Sequence, residues 1–145
     1  SHAYSKAPFF DDVFPILQEI IGCADKNLAM FLGNSFQLIC DYMNVDTKLI
    51  YSSEIVLPET GKNKIIPLCK HFGANMYVNR EGGVKIYNDQ DFEDENIDLK
   101  FITMNEGVTD RPKYLSIVDT LMHYSPKEVN SMLNKFELKD SHELF

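Results

Sequence analysis

The sequence predicts an α/β fold in which a small, mainly parallel sheet is flanked by helices in a Rossmann-like layered arrangement. Segments with the helical period alternate along the chain with short segments of strand character. Within residues 70–87, a predicted helix ends at Gly73, a short strand follows, and Gly82 and Gly83 then allow a sharp turn. A helix that leads into a strand ending at a glycine turn is typical of parallel α/β sheets.

Two helices are predicted in the first third of the chain. Apolar residues recur at helical spacing across residues 8–21, where Pro8 suits the first turn and Pro15 predicts a kink or a later start. Asn27 is a good N-cap for the strongest helical pattern, which extends to about residue 43 and is stopped by Asn44. We expect this helix to pack against the sheet and to bury Phe31, Phe36 and Ile39.

Three strands are predicted to lie in one sheet, at residues 47–51, 75–78 and 97–104. In the last of them, alternation places Leu99 and Phe101 on the face opposite to Ile102. Between the strands, the sequence predicts a loop at residues 57–63, a short helix at 64–72 containing Pro67, and one helical turn at 89–93.

The C-terminal part is predicted to be a loop followed by two helices. The loop covers residues 105–114 and contains Gly107. The first helix opens at Ser116. The second has the sharpest boundary in the chain, because Ser125 is followed by a proline and, three residues after the cap, by Glu128.

Length and composition indicate a single domain over residues 1–145 and disfavour several classes of partner. The hydrophobic fraction of 44% is ordinary for a globular domain. The formal net charge of −8 disfavours binding to nucleic acid or to an anionic membrane surface, because both attract basic proteins. No segment has the roughly 18 consecutive apolar residues of a membrane span. The three cysteines lack metal-type spacing, which is typical of reduced thiols and predicts a cytoplasmic protein.

The first residues of the chain do not resemble a natural start. There is no initial methionine, and Phe9 and Phe10 follow after only eight residues. Large aromatic side chains this early are more typical of the interior of a domain. We therefore expect the chain to be a fragment of a longer protein.

Two groups of reactive side chains have simple structural explanations. Cys69 and His71 lie two residues apart on a predicted helix, where their side chains diverge and cannot share a metal ion. No other cysteine or histidine pairing has zinc spacing, so neither a metal nor a cofactor is predicted. Ser116, Asp119 and His123 fall near one helix face, but three side chains of one helix do not readily form a catalytic triad. The simpler interpretation is a capping pair of Ser116 and Asp119, with His123 as a later neighbour.

The carboxyl ends of the predicted strands indicate a site for an anionic ligand. Ligands bind beyond these ends in parallel sheets, and the chain's two arginines, Arg80 and Arg111, both follow a strand end. Arginine grips an anion with a planar fork that lysine lacks, and the start of the Ser116 helix would add free N–H groups. Two alternatives stay open, a plain turn at the glycine pair and ordinary pairing of the arginines with acidic residues. The predicted ligand-binding residues are Ser52, Ser53, Asn79, Arg80, Gly82, Gly83, Tyr87, Ser116 and Asp119, and no catalytic residue is assigned.

Six blocks of the sequence, in their order along the chain, point to a known family. They are residues 4–10 (Tyr-Ser-Lys-Ala-Pro-Phe-Phe), 52–54 (Ser-Ser-Glu), 68–74 (Leu-Cys-Lys-His-Phe-Gly-Ala), 77–87 (from Tyr-Val-Asn-Arg to Val-Lys-Ile-Tyr), 92–101 and 115–122 (Leu-Ser-Ile-Val-Asp-Thr-Leu-Met). These blocks resemble segments of the WbqC-like proteins of bacteria, and the last is the most specific. The resemblance implies a cytoplasmic step in sugar modification, because these proteins are associated with gene clusters for O-antigen and other surface polysaccharides.

The chain departs from the family pattern at two places. The family's opening region, with a His-Gln-Pro motif and a Pro-Trp pair, is missing, and the chain has no Trp. A Tyr-x-Gln element expected before residues 115–122 is replaced by Thr-Asp-Arg-Pro-Lys at residues 109–113. If the family's opening holds the reactive groups, this chain holds the supporting half.

The resemblance leads to two hypotheses from different classes. The first is a transferase-type step of polysaccharide biosynthesis that uses a nucleotide-linked sugar or an acyl donor. The second is a non-catalytic binding or assembly domain in the same pathway. A small anionic or sugar ligand is the expected partner in either case. We also expect a homodimer, because a sheet that lacks its first strands would leave an unpaired edge and uncovered apolar surface.

Overall fold

The computed structural model describes residues 3–25, 27–105, 110–112 and 115–144. By its internal contacts, the chain divides into two units. The helical unit comprises Ser1–Glu54 and Gly107–Asn134, and the sheet unit comprises Ile55–Glu106 and Lys135–Phe145. The single-domain assignment made from the sequence stays a prediction.

The described residues form helices and a small sheet, which makes the fold α/β. The strands are β1 (Met76–Arg80), β2 (Asp98–Met104) and β3 (Phe136–Lys139). The helices are α1 (Phe10–Ile21), α2 (Leu28–Met43), α3 (Ile65–His71), α4 (Asp89–Glu93), α5 (Ile117–His123) and α6 (Pro126–Leu133). Among the described residues, no helix is both long and apolar enough to cross a lipid bilayer.

The predicted starts of α2 and α6 are confirmed by their caps. The Asn27 side chain accepts hydrogen bonds from the first turn of α2, and Asn44 ends that helix in the left-handed conformation at φ 54°. Ser125 and Glu128 form the predicted capping box at the start of α6. Pro15 lies inside α1, which begins at Phe10, two residues later than predicted.

The core of the helical unit lies where α1, α2, α5 and α6 meet. α2 packs against α1 and α6, so its predicted packing against the sheet is not confirmed. Phe36 is 59% exposed, so its predicted burial is wrong, and Phe31 and Ile39 are half-buried. The apolar stripe of α2 is wider than the surface that its neighbours cover. The buried residues of this core are Val13, Met43, Leu121, Met122 and Val129.

The prediction of a strand at residues 47–51 is wrong. This segment has no strand structure, and it packs against a helix instead. The Tyr51 ring lies on α2 at Gly33, where any Cβ atom would overlap it. An aromatic side chain seated on a helical glycine gives the segment a packing partner without a neighbouring strand.

The sheet has the order β1-β2-β3 and is mixed. β1 and β2 are parallel, with Met76 opposite Asp98 and Arg80 opposite Ile102. β2 and β3 are antiparallel, with Met104 opposite Phe136. A mainly parallel sheet with Rossmann-like layering is therefore not confirmed. β3 was not predicted, since its four residues carry too little pattern to be recognised as a strand.

The two faces of the sheet differ in their burial. On one face, Leu99 and Phe101 are buried against Cys69, Phe92 and Ile97, which confirms the predicted alternation along β2. The opposite face, here called the outer face, has apolar side chains that are 40–51% exposed. Its exposed apolar residues are Met76, Val78, Met104, Phe136 and Leu138.

Candidate functional site

The predicted ligand-binding residues belong to different units. Asn79, Arg80, Gly82, Gly83 and Tyr87 lie in the sheet unit. Ser52 and Ser53 were placed at a strand end, but residues 47–51 do not form a strand. The two serines lie exposed in a short 3-10 turn. The residues of the set that lie in the helical unit are Ser52, Ser53, Ser116 and Asp119.

In the sheet unit, two of the predicted residues join a polar network around Tyr77. The Asn79 amide donates to the Tyr77 hydroxyl at 3.3 Å and accepts the Arg80 backbone N–H at 2.7 Å. The Tyr77 and Tyr87 hydroxyls are 3.2 Å apart, and burial raises the pKa of Tyr77. A Cβ atom at Gly83 would approach the Asn79 amide nitrogen to 2.8 Å. These contacts bind the predicted residues to one another and fix the end of β1.

Arg80 is placed differently from its neighbour Asn79. The alternation of burial along β1 puts Asn79 on the half-buried face and Arg80 on the exposed one. The Arg80 side chain has no hydrogen bond or ion pair with any other described residue. A Cβ atom at Gly82 would meet nothing within 4 Å, which favours a plain turn there.

The helical unit contains a buried carboxylate, that of Asp119 in the first turn of α5. The residue is 2% exposed. Arg111 holds the carboxylate with two hydrogen bonds, from Nε to Oδ2 at 2.9 Å and from Nη2 to Oδ1 at 2.8 Å. Ser116 caps α5 through the Val118 N–H, so the predicted capping pair of Ser116 and Asp119 is not formed.

The protonation states around Asp119 follow from its partners. The hydrogen bonds from Arg111 are the largest cause of a lowered pKa for Asp119, and a hydrogen bond from Tyr4 acts in the same direction. Burial and the Asp119 charge raise the pKa of Tyr4. At neutral pH, Asp119 is therefore an anion and the Tyr4 hydroxyl donates to it.

His123 lies one helical turn after Asp119 and is fixed in one orientation by it. Its Nδ1 is 2.8 Å from the backbone carbonyl oxygen of Asp119 and 3.8 Å from Oδ1. Since a carbonyl oxygen can only accept, Nδ1 carries the hydrogen, and the neutral ring has its lone pair on Nε2. The side chain is 26% exposed, and the Tyr4 ring meets it edge-on at a centroid distance of 6.1 Å. An oriented, accessible imidazole is what general base catalysis requires.

Ser116 does not complete a catalytic triad with this histidine. Its hydroxyl accepts the Val118 N–H at the start of α5, whereas the Nδ1 of His123 lies at the Asp119 carbonyl, one turn further on. The arrangement thus offers a base and a buried anion, without a serine nucleophile.

An open groove lies beside this cluster on the surface of the helical unit. We call it the α1 groove. Its volume is about 490 Å³. Tyr4 belongs to both features, because it lines the groove and also donates to Asp119. The groove is lined by Tyr4, Phe10, Phe14, Leu17, Gln18, Ile21, Gly22 and Met122.

The described part of the chain contains no candidate metal site. Within residues 3–25, 27–105, 110–112 and 115–144, no three His, Cys, Asp or Glu side chains are grouped so that they could hold an ion. All three cysteines are free thiols, and burial raises the pKa of Cys69.

Some of these groups could have been found from the sequence and others could not. Asp119 and His123 have the spacing of helical neighbours and were recognised as a group. The pairing of Asp119 with Arg111 was missed, because it depends on how the loop before α5 is folded. Tyr4 was noted only as part of a sequence block, and its position beside Asp119 depends on contacts far apart in the chain.

Comparison with known proteins identifies the family of this chain. No curated protein and no solved structure matches it. The model of the WbqC-like protein family matches residues 1–131, which include both α1 and the Asp119–His123 turn of α5. Because this match covers most of the chain, the protein belongs to the WbqC-like protein family.

Proposed function

We propose that the protein carries out a transferase-type step in the biosynthesis of bacterial O-antigen or another surface polysaccharide, in the cytoplasm. The donor is a nucleotide-linked sugar or an acyl donor, and His123 is the general base. The observation that carries this proposal is the orientation of His123, whose Nδ1 is bound to the Asp119 carbonyl. Membership of the WbqC-like family supports the biosynthetic setting.

The chemistry needs only one proton acceptor at the site. Nε2 of His123 takes the proton from a hydroxyl or amino group of the acceptor, which attacks the electrophilic carbon of the donor. The bond from that carbon to the leaving group breaks, and a nucleoside diphosphate or a thiolate departs. The anionic Asp119 stabilises the imidazolium that forms, since its Oδ1 is 3.8 Å from Nδ1. Arg111 keeps Asp119 ionised and in place.

A turnover assay tests this proposal. The purified chain is incubated with an amino sugar acceptor and, separately, with nucleotide-linked sugars and with acyl thioesters. Release of nucleoside diphosphate or of free thiol is followed with time. We expect acceptor-dependent release with one donor class. If neither class turns over with any acceptor, the transferase proposal is wrong.

The alternative function, a non-catalytic binding or assembly domain, is supported by the outer face of the sheet. Five apolar side chains are exposed on this face, and among the described residues β1 pairs only with β2, which leaves its other edge unpaired. On this hypothesis the chain forms a homodimer. Sedimentation equilibrium should then find a dimer that Val78→Asp dissociates and that Val56→Asp, at a 97% exposed residue of the same unit, does not. A monomer at high concentration would contradict it.

Binding of an anion at Arg80 is a separate proposal for the sheet unit. It is supported by the exposed position of Arg80 at the carboxyl end of β1 and by its lack of an ion-pair partner among the described residues. Titration of the protein with sulfate in a calorimeter should give binding that Arg80→Ala weakens roughly tenfold, the lower end for a charge-assisted hydrogen bond at an exposed position. Lys85→Ala removes the same charge from the same unit and should have little effect. Equal weakening by both variants would point to a non-specific charge effect.

A further inference from the structure

We infer that the α1 groove binds the alkyl chain of an acyl thioester, so that the donor is an acyl donor and the reaction is acyl transfer. The assignment of the reaction rests on the proposed function. The binding of an alkyl chain does not, because it follows from the groove itself.

The groove is apolar along most of its length. Five of its lining residues are large apolar ones, and Tyr4 and Gln18 are the polar ones. The Phe10 and Phe14 rings stack at a centroid distance of 4.8 Å and form one wall. Ile21 stands at the end of α1 with 78% of its surface exposed. A flexible apolar ligand is the kind of ligand that buries most of the apolar surface of such an open cavity.

The charges around the groove favour a neutral chain over a nucleotide. No described lysine or arginine lines it. The first turn of α1 instead carries Asp11 and Asp12, whose negative charges repel a diphosphate. In the helical unit, Arg111 is held by Asp119 in a bidentate ion pair. The described lining residues therefore offer no cation to the phosphates of a nucleotide-linked sugar.

The position of the groove connects a bound chain to the proposed base. Tyr4 lines the groove, donates to Asp119 and meets the His123 ring edge-on. Met122 also lines the groove and directly precedes His123 in α5. A chain bound in the groove therefore contacts Tyr4 and Met122, the two lining residues that adjoin His123.

The acyl-transfer step requires only the acceptor, the thioester and His123. The acceptor amine or hydroxyl loses its proton to Nε2 of His123 and forms a bond to the thioester carbonyl carbon. The carbon–sulfur bond breaks, and the thiolate leaves with its electron pair. The imidazolium then returns the proton to the thiolate, so a free thiol and an amide or ester are the products.

Equilibrium binding tests the inference without turnover. Decanoate and the thioether analogue of decanoyl-coenzyme A, which cannot transfer its chain, are titrated into the protein in a calorimeter. Coenzyme A and a uridine diphosphate sugar are titrated in parallel. We expect both chain-bearing probes to bind and the two chain-free probes to bind at least about tenfold more weakly, since only the chain buries the apolar walls.

Two variants locate the binding. Ile21→Glu places a charge in the groove at an exposed position and should weaken binding of decanoate about tenfold or more. Phe14→Ser removes part of the stacked wall. Phe14 is not one of the side chains that pack on the core of the helical unit, so the fold should be retained. Val56→Glu, the same change at an exposed apolar residue of the sheet unit, is the matched control and should bind decanoate like the wild type.

The outcomes separate this inference from the proposed function. Decanoate binding that is absent, or that is equal in Ile21→Glu, Phe14→Ser and the wild type, overturns the groove assignment. Turnover of a nucleotide-linked sugar without chain binding overturns it as well and leaves the transferase proposal standing. Chain binding that both variants weaken, with no turnover of any donor, supports the groove and contradicts the transferase.

Discussion

Phe101→Ala is expected to lower the free energy of unfolding of the sheet unit by about 3–5 kcal/mol, the usual cost of removing a fully buried aromatic ring. Phe101 is 0% exposed and lies on β2, the central strand. Its ring packs in a cluster with Phe92 and Leu99. The remaining backbone of β2 is held by β1 and β3 on both sides, so the cavity can collapse only in part.

Urea denaturation followed by circular dichroism measures this loss. Met104→Ala is the matched control, because it removes a large side chain from the opposite face of the same strand, where Met104 is 51% exposed. We expect it to cost less than about 1 kcal/mol, as is usual for exposed positions. Similar losses for the two variants would mean that the outer face is buried in solution and that Phe101 does not anchor the sheet alone.

The features predicted correctly from the sequence are those that a few neighbouring residues determine. Asn27 and Ser125 begin helices because their side chains satisfy N–H groups two or three residues away. Gly73 is in the left-handed conformation after α3, at φ 62°, because a helix end needs it. Such interactions are complete within one turn, so the pattern of residues is sufficient to find them.

The errors come from contacts between distant segments. Residues 47–51 have the composition of a strand, but they form none, and Tyr51 packs on α2 at Gly33. β3 pairs with β2 across more than thirty residues of chain, from Met104 to Phe136, and its four residues carry too little pattern to be recognised. The part of the loop at residues 105–114 that contains Gly107 lies outside the described residues, so its prediction is not tested.

The candidate site shows the same division between local and distant contacts. The sequence grouped Asp119 with His123 through their helical spacing, and the structure places His123 against the Asp119 carbonyl. It did not predict that Arg111 and Tyr4 would converge on the same carboxylate. These two contacts change the interpretation of Asp119 from a helix cap into a buried anion, and no single segment of the sequence contains them.

His123→Gln is expected to reduce kcat for the proposed transfer by about 10²–10⁴-fold, the range that general acid–base catalysis contributes. Glutamine can still donate a hydrogen bond toward the Asp119 carbonyl, but its amide cannot accept a proton from the acceptor. KM should change little, because the α1 groove, which holds the donor chain, does not include His123.

The measurement is steady-state kinetics with the donor that turns over in the wild type, alongside the urea stability of each variant. His71→Gln is the matched control, since His71 is an exposed histidine at the end of α3 in the sheet unit and should leave kcat unchanged. A structural role for His123 would lower stability and raise KM together. A kcat within about threefold of the wild type would exclude His123 as the base, since general base catalysis contributes far more than this. The buried Asp119 would then have only a structural role, as the residue that holds α5 in place.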